Sequence, residues 1–128
     1  MGYNRDMDIR IKTTDYQMVP ATQAYLDERI ASIEKLLGME ADASRIEVEI
    51  GHITAHKHGV VWYTEINLLQ PGMKLVNARA EGESVNAAID EVKDEILNQM
   101  RKQRQVHRRF LRKGGATLKR LMQFGGTE

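Results

Sequence analysis

The chain of 128 residues carries a net charge of +1 and contains no cysteine. Its length suits one domain with a core large enough to fold without cross-links, and the lack of cysteine excludes disulfides, thiolate metal sites and a cysteine nucleophile. No apolar run approaches the roughly 20 residues that span a bilayer, and residues 1–11 lack a signal-peptide core, so we expect an unprocessed, soluble, cytoplasmic protein with no membrane partner.

Positive and negative residues are segregated along the chain. Residues 1–100 contain 10 Lys and Arg against 17 Asp and Glu, a net charge of −7, whereas residues 101–128 contain 9 against 1, a net charge of +8. A partner responds to this local charge rather than to the total. The C-terminal part of the chain therefore favours a polyanion.

The first predicted elements are a strand and a helix. Met7, Ile9 and Ile11 alternate with charged residues, which is the pattern of a half-buried strand. Pro20 suits the first turn of a helix, and Gly38 should end it. The apolar stripe of this helix consists of Leu26, Ile30, Ile33 and Leu37.

Three further strands are predicted at residues 45–50, 61–69 and 75–81, after a linker at 39–44. A turn at Gln70–Gly72 separates the last two strands, and short links imply an antiparallel meander. The element order predicts an α+β two-layer sandwich, β-α-β-β-β-α, in which two helices cover one face of a four-stranded sheet.

A long helix from Ser84 to Lys113 completes the pattern. Ser84 is a candidate N-cap, and Gly114 and Gly115 are predicted to stop the helix, which gives about 45 Å at 1.5 Å per residue. Its apolar stripe consists of Val85, Ile89, Val92, Ile96 and Met100. We therefore predict a domain over residues 1–113 and a basic tail over residues 114–128.

Beyond Met100 the exposed side of this helix becomes basic. Guanidinium groups stay charged and fork onto phosphate oxygens, so such a face suits folded RNA. A solvated charged face is the alternative, but nine cations with no acid from Arg101 to Thr127 would repel one another without an anion. The predicted RNA contacts here are Arg101, Lys102, Arg104, Arg108, Arg109, Arg112, Lys113, Lys119 and Arg120.

The segment 116–124 can form a short amphipathic helix after a glycine hinge. Its apolar residues are Leu118, Leu121 and Met122. They could add a second contact to RNA or protein, bind a membrane surface weakly, or fold back onto Val106 and Phe110.

A loop from Gly51 to Gly59 gathers His52, His56 and His58, but their spacing matches no standard zinc site, and we expect solvated side chains rather than a metal. Trp62 and Tyr63 point to opposite faces of their strand, so one should belong to the core. An aromatic exposed on the open sheet face could instead stack on bases.

The sequence offers no catalytic constellation. It has no Ser/His/Asp order, no phosphate-cradling glycine loop and no metal-binding pair, and its carboxylates lie on helix faces or alternate strand positions. We expect a protein that is not an enzyme, with no cofactor and no small-molecule substrate.

Several short runs within residues 7–104 resemble, in order and spacing, the ribosome hibernation-promoting factor family, also called ribosome-associated inhibitors. They are Pro20–Ala21, Tyr25–Leu26, Arg29–Ala31, Glu34–Lys35, Ala78–Glu81, Val85–Asp90 and Gln99–Lys102. The resemblance implies a fold akin to a double-stranded-RNA-binding domain. It also implies that the chain binds small-subunit ribosomal RNA in the channel for messenger and transfer RNA and silences idle ribosomes.

The resemblance implies RNA contacts at Arg29 and Lys35 on the first helix and at Lys102 on the second. The chain departs from the family pattern elsewhere: Ser32 and Glu95 stand where lysines are common, Asn86 stands where a tyrosine is common, and Val19 replaces a threonine cap. We therefore expect the anchoring to shift toward residues after 100. Without a C-terminal dimerisation domain, the chain resembles a short form of the family.

Two alternatives to a hibernation factor remain open. One is a protein-interaction module whose basic helix binds an acidic partner. The other is a general RNA-binding chaperone with no preference for ribosomal RNA.

Overall fold

A computed structural model describes residues 7–55 and 59–125, with side chains for residues 7–54 and 59–113. The elements are strand β1 (Asp8–Thr14), helix α1 (Pro20–Leu37), a 3₁₀ helix (Gly38–Ala43), strands β2 (Arg45–Ala55), β3 (Gly59–Leu69) and β4 (Val76–Gly82), and helix α2 (Val85–Gly125). This order confirms the predicted α+β, β-α-β-β-β-α architecture.

The sheet is mixed and runs in the order β1-β2-β3-β4. β2, β3 and β4 form the predicted antiparallel meander, while β1 pairs with β2 in parallel, with Ile9 opposite Ile46 and Ile11 opposite Val48. The intervening helix α1 is the crossover connection that parallel pairing requires. β1 is therefore an edge strand, and Ile9 and Ile11 remain 41% and 37% exposed.

Alternate residues of β2, β3 and β4 form the sheet side of the core. They are Ile46, Val48 and Ile50 in β2, Ile66 and Leu68 in β3, and Val76, Ala78 and Ala80 in β4, and all are buried. The helix side is the predicted pair of stripes, with Leu26, Ile30, Ile33 and Leu37 of α1 and Ile89, Val92 and Ile96 of α2 also buried. The apolar stripes of the two helices therefore pack against the alternate apolar residues of the strands in one core layer.

The two helices begin and end by different means. The Pro20 ring occupies the first turn of α1, and Gly38 at φ 60° ends α1 by donating its N–H to the carbonyl of Glu34. Ser84 caps α2, because its hydroxyl accepts the Ala87 N–H at 3.1 Å. Both predicted helix starts and the predicted stop at Gly38 are confirmed.

The predicted stop at Gly114 and Gly115 is wrong. α2 continues through both glycines to Gly125, so it comprises 41 residues, and the hinge predicted before residue 116 is replaced by helix. Each helical glycine costs about 1 kcal/mol relative to alanine. Helix-forming residues follow, and no proline interrupts them, so the chain can continue the helix at that modest cost. The tail therefore does not fold back onto Val106 and Phe110, which are 62% and 69% exposed.

The linker predicted at residues 39–44 is also more regular than expected. Residues Gly38–Ala43 form a 3₁₀ helix that buries Ala41. Ser44 closes it by donating its hydroxyl to the Glu40 carbonyl at 2.7 Å. Within the described residues, no helix is long and apolar enough to cross a membrane.

Candidate nucleic-acid interface

The chain divides into two units, Met1–Leu97 and Asn98–Glu128. Within the second unit we define the cationic segment as Arg101–Lys113, a stretch of α2 that contains seven cations and no carboxylate. Six of these cations are exposed, and Arg104 is half-buried. The seven are Arg101, Lys102, Arg104, Arg108, Arg109, Arg112 and Lys113.

The cationic segment carries both charged and apolar side chains. Arg101, Arg104, Arg108 and Arg112 recur at steps of three and four residues, so they lie along one side of the helix. Val106, Phe110 and Leu111 are 62%, 69% and 57% exposed. No residue from 101 to 113 is buried. The segment is therefore a helix that owes little to apolar packing.

Like charges at this spacing oppose the helix that holds them. The pairs Arg104 with Arg108 and Arg108 with Arg112 are four residues apart, and each such pair destabilises a helix by about 0.2–0.5 kcal/mol. A bound polyanion would remove this repulsion and add phosphate contacts. The local electrostatics therefore favour an anionic ligand along this side of the segment.

Arg29, one of the predicted RNA contacts, takes part in an intramolecular network. Its Nε donates to Asp90 Oδ1 at 2.8 Å, and its Nη1 donates to Glu28 Oε1 at 2.9 Å. The guanidinium also lies 3.9 Å from the centre of the Tyr25 ring, and the side chain is 26% exposed. These contacts connect α1 to the start of α2.

The Tyr25 hydroxyl donates to the same carboxylate of Asp90. Together, the Tyr25 hydroxyl and the Arg29 guanidinium lower the pKa of Asp90 below its ordinary value. No sequence pattern predicts this network, because Tyr25 and Arg29 lie 65 and 61 residues from Asp90. Two carboxylates therefore already balance the charge of Arg29 before any RNA binds.

The remaining predicted cations are placed as follows. Lys35 lies exposed in the last turn of α1. Lys119 and Arg120 lie in α2, and their side chains fall outside the described residues. The structure thus brings the cations of Arg101–Lys113 onto one helix segment, separately from Arg29 and Lys35 in the first unit.

The exposed helix surface of the first unit is mainly acidic. Glu28 and Asp94 have side chains 76% and 70% exposed, and Glu91 and Glu95 are exposed too. Ser32, at a position where the family resemblance leads one to expect a lysine, is also exposed. Few cations here can meet a phosphate, which supports our expectation that anchoring shifts past residue 100.

The interpretation of the histidine loop needs correction. His52 lies in β2 opposite Trp62, with ring centres 5.0 Å apart, because the two strands extend beyond their predicted ends. His56 and His58 lie outside the described residues. Among the residues that are described, no three His, Cys, Asp or Glu side chains are placed to hold a metal ion.

Tyr63 is the aromatic of the open sheet face, and it is only 6% exposed. Its hydroxyl donates to Glu49 Oε2 at 2.9 Å, Thr14 donates to the same oxygen at 2.9 Å, and Arg79 covers the ring at 4.0 Å. Thr14 and Tyr63 together lower the pKa of Glu49. The ring is therefore covered by its own protein and offers no stacking platform.

A shallow cavity of about 270 Å³ also lies on the sheet. Its charged lining mixes carboxylates with cations: Glu47, Glu49, Glu65, Arg10 and Lys12. The two signs largely offset each other there, whereas the cationic segment carries one sign only. The segment is the stronger candidate for a polyanion.

Comparison with known proteins identifies a matching family. The sequence profile of the family described as Sigma 54 modulation protein / S30EA ribosomal protein matches residues 9–108. No curated protein matches the chain.

Two solved structures share the fold. One, a ribosomal subunit interface protein from Coxiella burnetii, has 17% identity and a TM-score of 0.61, over 77% of this chain and 99% of that one. The other, the N-terminal domain of Thermus thermophilus Protein Y, has 20% identity and a TM-score of 0.58, over 75% and 98%. Both are nearly fully covered by about three quarters of this chain.

Proposed function

Because the chain belongs to the Sigma 54 modulation protein / S30EA ribosomal protein family, whose members are ribosome-associated hibernation factors, we propose that it binds small-subunit ribosomal RNA in the channel for messenger and transfer RNA. In this position it silences idle ribosomes in the cytoplasm. The proposal contains no catalytic step, no cofactor and no small-molecule substrate.

The observation that carries the proposal is the cationic segment. Seven cations lie within 13 residues of helix, none of them is buried, and the sequence of the segment contains no carboxylate. Phosphates along an RNA strand are spaced closely enough to meet successive turns of such a helix, and folded RNA is read through its shape and its backbone. Arginines make the phosphate contacts bidentate.

The basic residues of α1 have a smaller role in this proposal. Arg29 is held by Asp90 and Glu28, so its part is to fix the two helices against each other while its outer edge remains available to a phosphate. Lys35 is exposed and adds one contact from the end of α1. The main binding energy comes from residues after Met100.

The test is co-sedimentation with ribosomes in a sucrose gradient, together with inhibition of translation in vitro. The chain should travel with small subunits at low salt and leave them as salt rises, because each neutralised phosphate releases counterions. Changing Arg101, Lys102, Arg104 and Arg108 to Ala should remove both effects at salt concentrations at which the unaltered chain still binds. A matched variant that loses four cations elsewhere, namely Arg10, Lys12, Arg45 and Lys74, should retain them.

Undiminished binding by the first variant would contradict the proposal. Equal affinity for ribosomes and for heparin would favour the other candidate, a protein-interaction module whose basic helix binds any acidic surface. The exposed apolar residues of the same segment, Val106, Phe110 and Leu111, are what such a module would also use. A general RNA chaperone would bind unrelated RNA as tightly as ribosomal RNA.

A further inference from the structure

The two units of the chain expose opposite charges on helices. In the first unit, Glu28 of α1 and Asp90, Glu91 and Asp94 of α2 form what we define as the acidic patch. Its members adjoin one another, because Arg29 bonds both Glu28 and Asp90, and residues 90, 91 and 94 lie within about one turn of each other.

The acidic patch keeps a negative surplus. Its four carboxylates outnumber Arg29 and Lys93, the two cations of its ion pairs, and Lys93 contacts Asp94 at 2.6 Å. Glu28 and Asp94 nevertheless have side chains 76% and 70% exposed. The patch is thus a helical surface with spare negative charge, while the cationic segment is a helical surface with only positive charge.

We propose that the cationic segment of one copy docks on the acidic patch of a second copy of this chain. The occupant follows from charge complementarity. Both surfaces are exposed and helical, and each repels itself while attracting the other. Because every copy carries both surfaces, the exchange can be reciprocal, which is the condition for a closed two-fold dimer.

The contact should be weak and sensitive to salt. Exposed ion pairs contribute little individually, and charges in water are screened beyond about 10 Å at 0.1 M salt. Self-association should therefore be measurable at low ionic strength and disappear at high ionic strength. An apolar interface would respond to salt in the opposite direction, since salting-out strengthens burial.

Self-association would compete with RNA for the same arginines. This consequence rests on the proposed function, whereas the docking itself does not. A free copy would keep its cationic segment covered by another copy, and ribosomal RNA, with its denser negative charge, would displace that copy. The acidic patch would then lower the affinity for unrelated polyanions.

The experiment is sedimentation equilibrium of the full chain at about 50 mM and at about 500 mM salt. At the higher concentration the Debye length is well below 10 Å, so the ion pairs are screened. One variant reverses the patch with Glu91→Lys and Asp94→Lys, and a second reverses the segment with Arg108→Glu and Arg112→Glu. Each alone should weaken self-association by at least about tenfold, because it replaces attraction by repulsion. A one-to-one mixture of the two should restore it, because the reversed surfaces complement each other.

The matched control is Glu40→Lys with Asp42→Lys, which makes the same charge change in the exposed 3₁₀ helix and should leave self-association unchanged. Far-ultraviolet circular dichroism checks that every variant is folded. The proposal is overturned if the full chain is monomeric at low salt, if the control weakens association as much as the patch variant does, or if the mixture stays monomeric. Ribosome binding reports separately, since the patch variant keeps every cation of the segment.

Discussion

The two halves of α2 share one backbone conformation and differ in what stabilises it. From Val85 to Leu97, Ala88, Ile89, Val92 and Ile96 have no exposed surface. From Arg101 to Lys113 no residue is buried, and seven cations repel one another. The first half is therefore held by the core, while the second depends on its own helix hydrogen bonds.

In the proposed function, one helix therefore serves both folding and binding. Substitutions in the first half should change the free energy of unfolding, whereas substitutions of cations in the second half should change binding and leave the fold intact.

The largest effect on stability is expected at Ile89. Ile89→Ala removes buried methyl groups from a side chain with no exposed surface, and should lower the free energy of unfolding by about 2–5 kcal/mol. Urea denaturation followed by circular dichroism measures this. Ile89→Val, which removes one methylene, should cost about 0.5–1.5 kcal/mol. A loss below about 2 kcal/mol for Ile89→Ala would show that the core does not hold the first half of α2.

A second prediction concerns Gly114 and Gly115. Because both lie inside α2, Gly→Ala at each should favour the helix by up to about 1 kcal/mol. Slower amide exchange in residues 108–120 would report this. If the glycines instead ended the helix in a left-handed conformation, alanine would be strained there and exchange would become faster. Gly38→Ala is the matched control, since Gly38 has φ 60° and its substitution should destabilise.

A third prediction concerns Asp90 and pH. Asp90→Asn should lower the free energy of unfolding by about 1 kcal/mol at pH 7, a modest value because the carboxylate is 43% exposed. The folded state lowers the pKa of Asp90, so the unfolded chain binds more protons as pH falls. The stabilisation by the Asp90 carboxylate should thus be complete above about pH 4, the ordinary range of a carboxyl pKa. It should disappear as pH falls through the lowered pKa of Asp90 in the folded state.

The comparison for this third prediction is Asp94→Asn, whose partner Lys93 is the adjacent residue and whose side chain is 70% exposed. Its effect should be smaller, because this ion pair lies on the exposed surface and joins neighbours in one helix. Equal effects at both positions would mean that the network of Tyr25, Arg29 and Asp90 does not stabilise the contact of α1 with α2.

The smallest effect is expected at Phe110. Phe110→Ala removes a side chain that is 69% exposed, so the free energy of unfolding should change by less than about 0.5 kcal/mol. The same substitution in a core would cost about 3–5 kcal/mol. A loss of that size, measured by urea denaturation, would show that the second half of α2 is packed in solution.

The fold was largely predictable because its signals are local. Alternation in residues 45–50 and the stripes of both helices identified the buried side chains, and Ser84 and Gly38 marked helix ends. The ends of β2 and β3 were missed, because His52, Thr54 and Gly59 show no apolar alternation. Ile9 and Ile11 alternate as a buried strand does, yet their exposure depends on β1 being an edge, which sequence periods do not reveal.

The candidate site was predictable only where charge accumulates along the sequence. The run of cations after Met100 is visible at once, whereas the pairing of Arg29 with Asp90 joins residues 61 apart. The prediction that the helix ends at Gly114 and Gly115 was wrong for a related reason. A glycine ends a helix where the chain must turn, as it does at Gly38 before β2, and residues 114–115 have no such turn to make.

The most direct measurement is the salt dependence of binding to isolated small ribosomal subunits. Each phosphate contact adds about 0.7–0.9 to the slope of log affinity against log salt concentration. The variant with Arg101, Lys102, Arg104 and Arg108 changed to Ala should therefore show a slope shallower by about 3 than the unaltered chain. Identical slopes for the two proteins would contradict the claim that this segment of α2 binds ribosomal RNA.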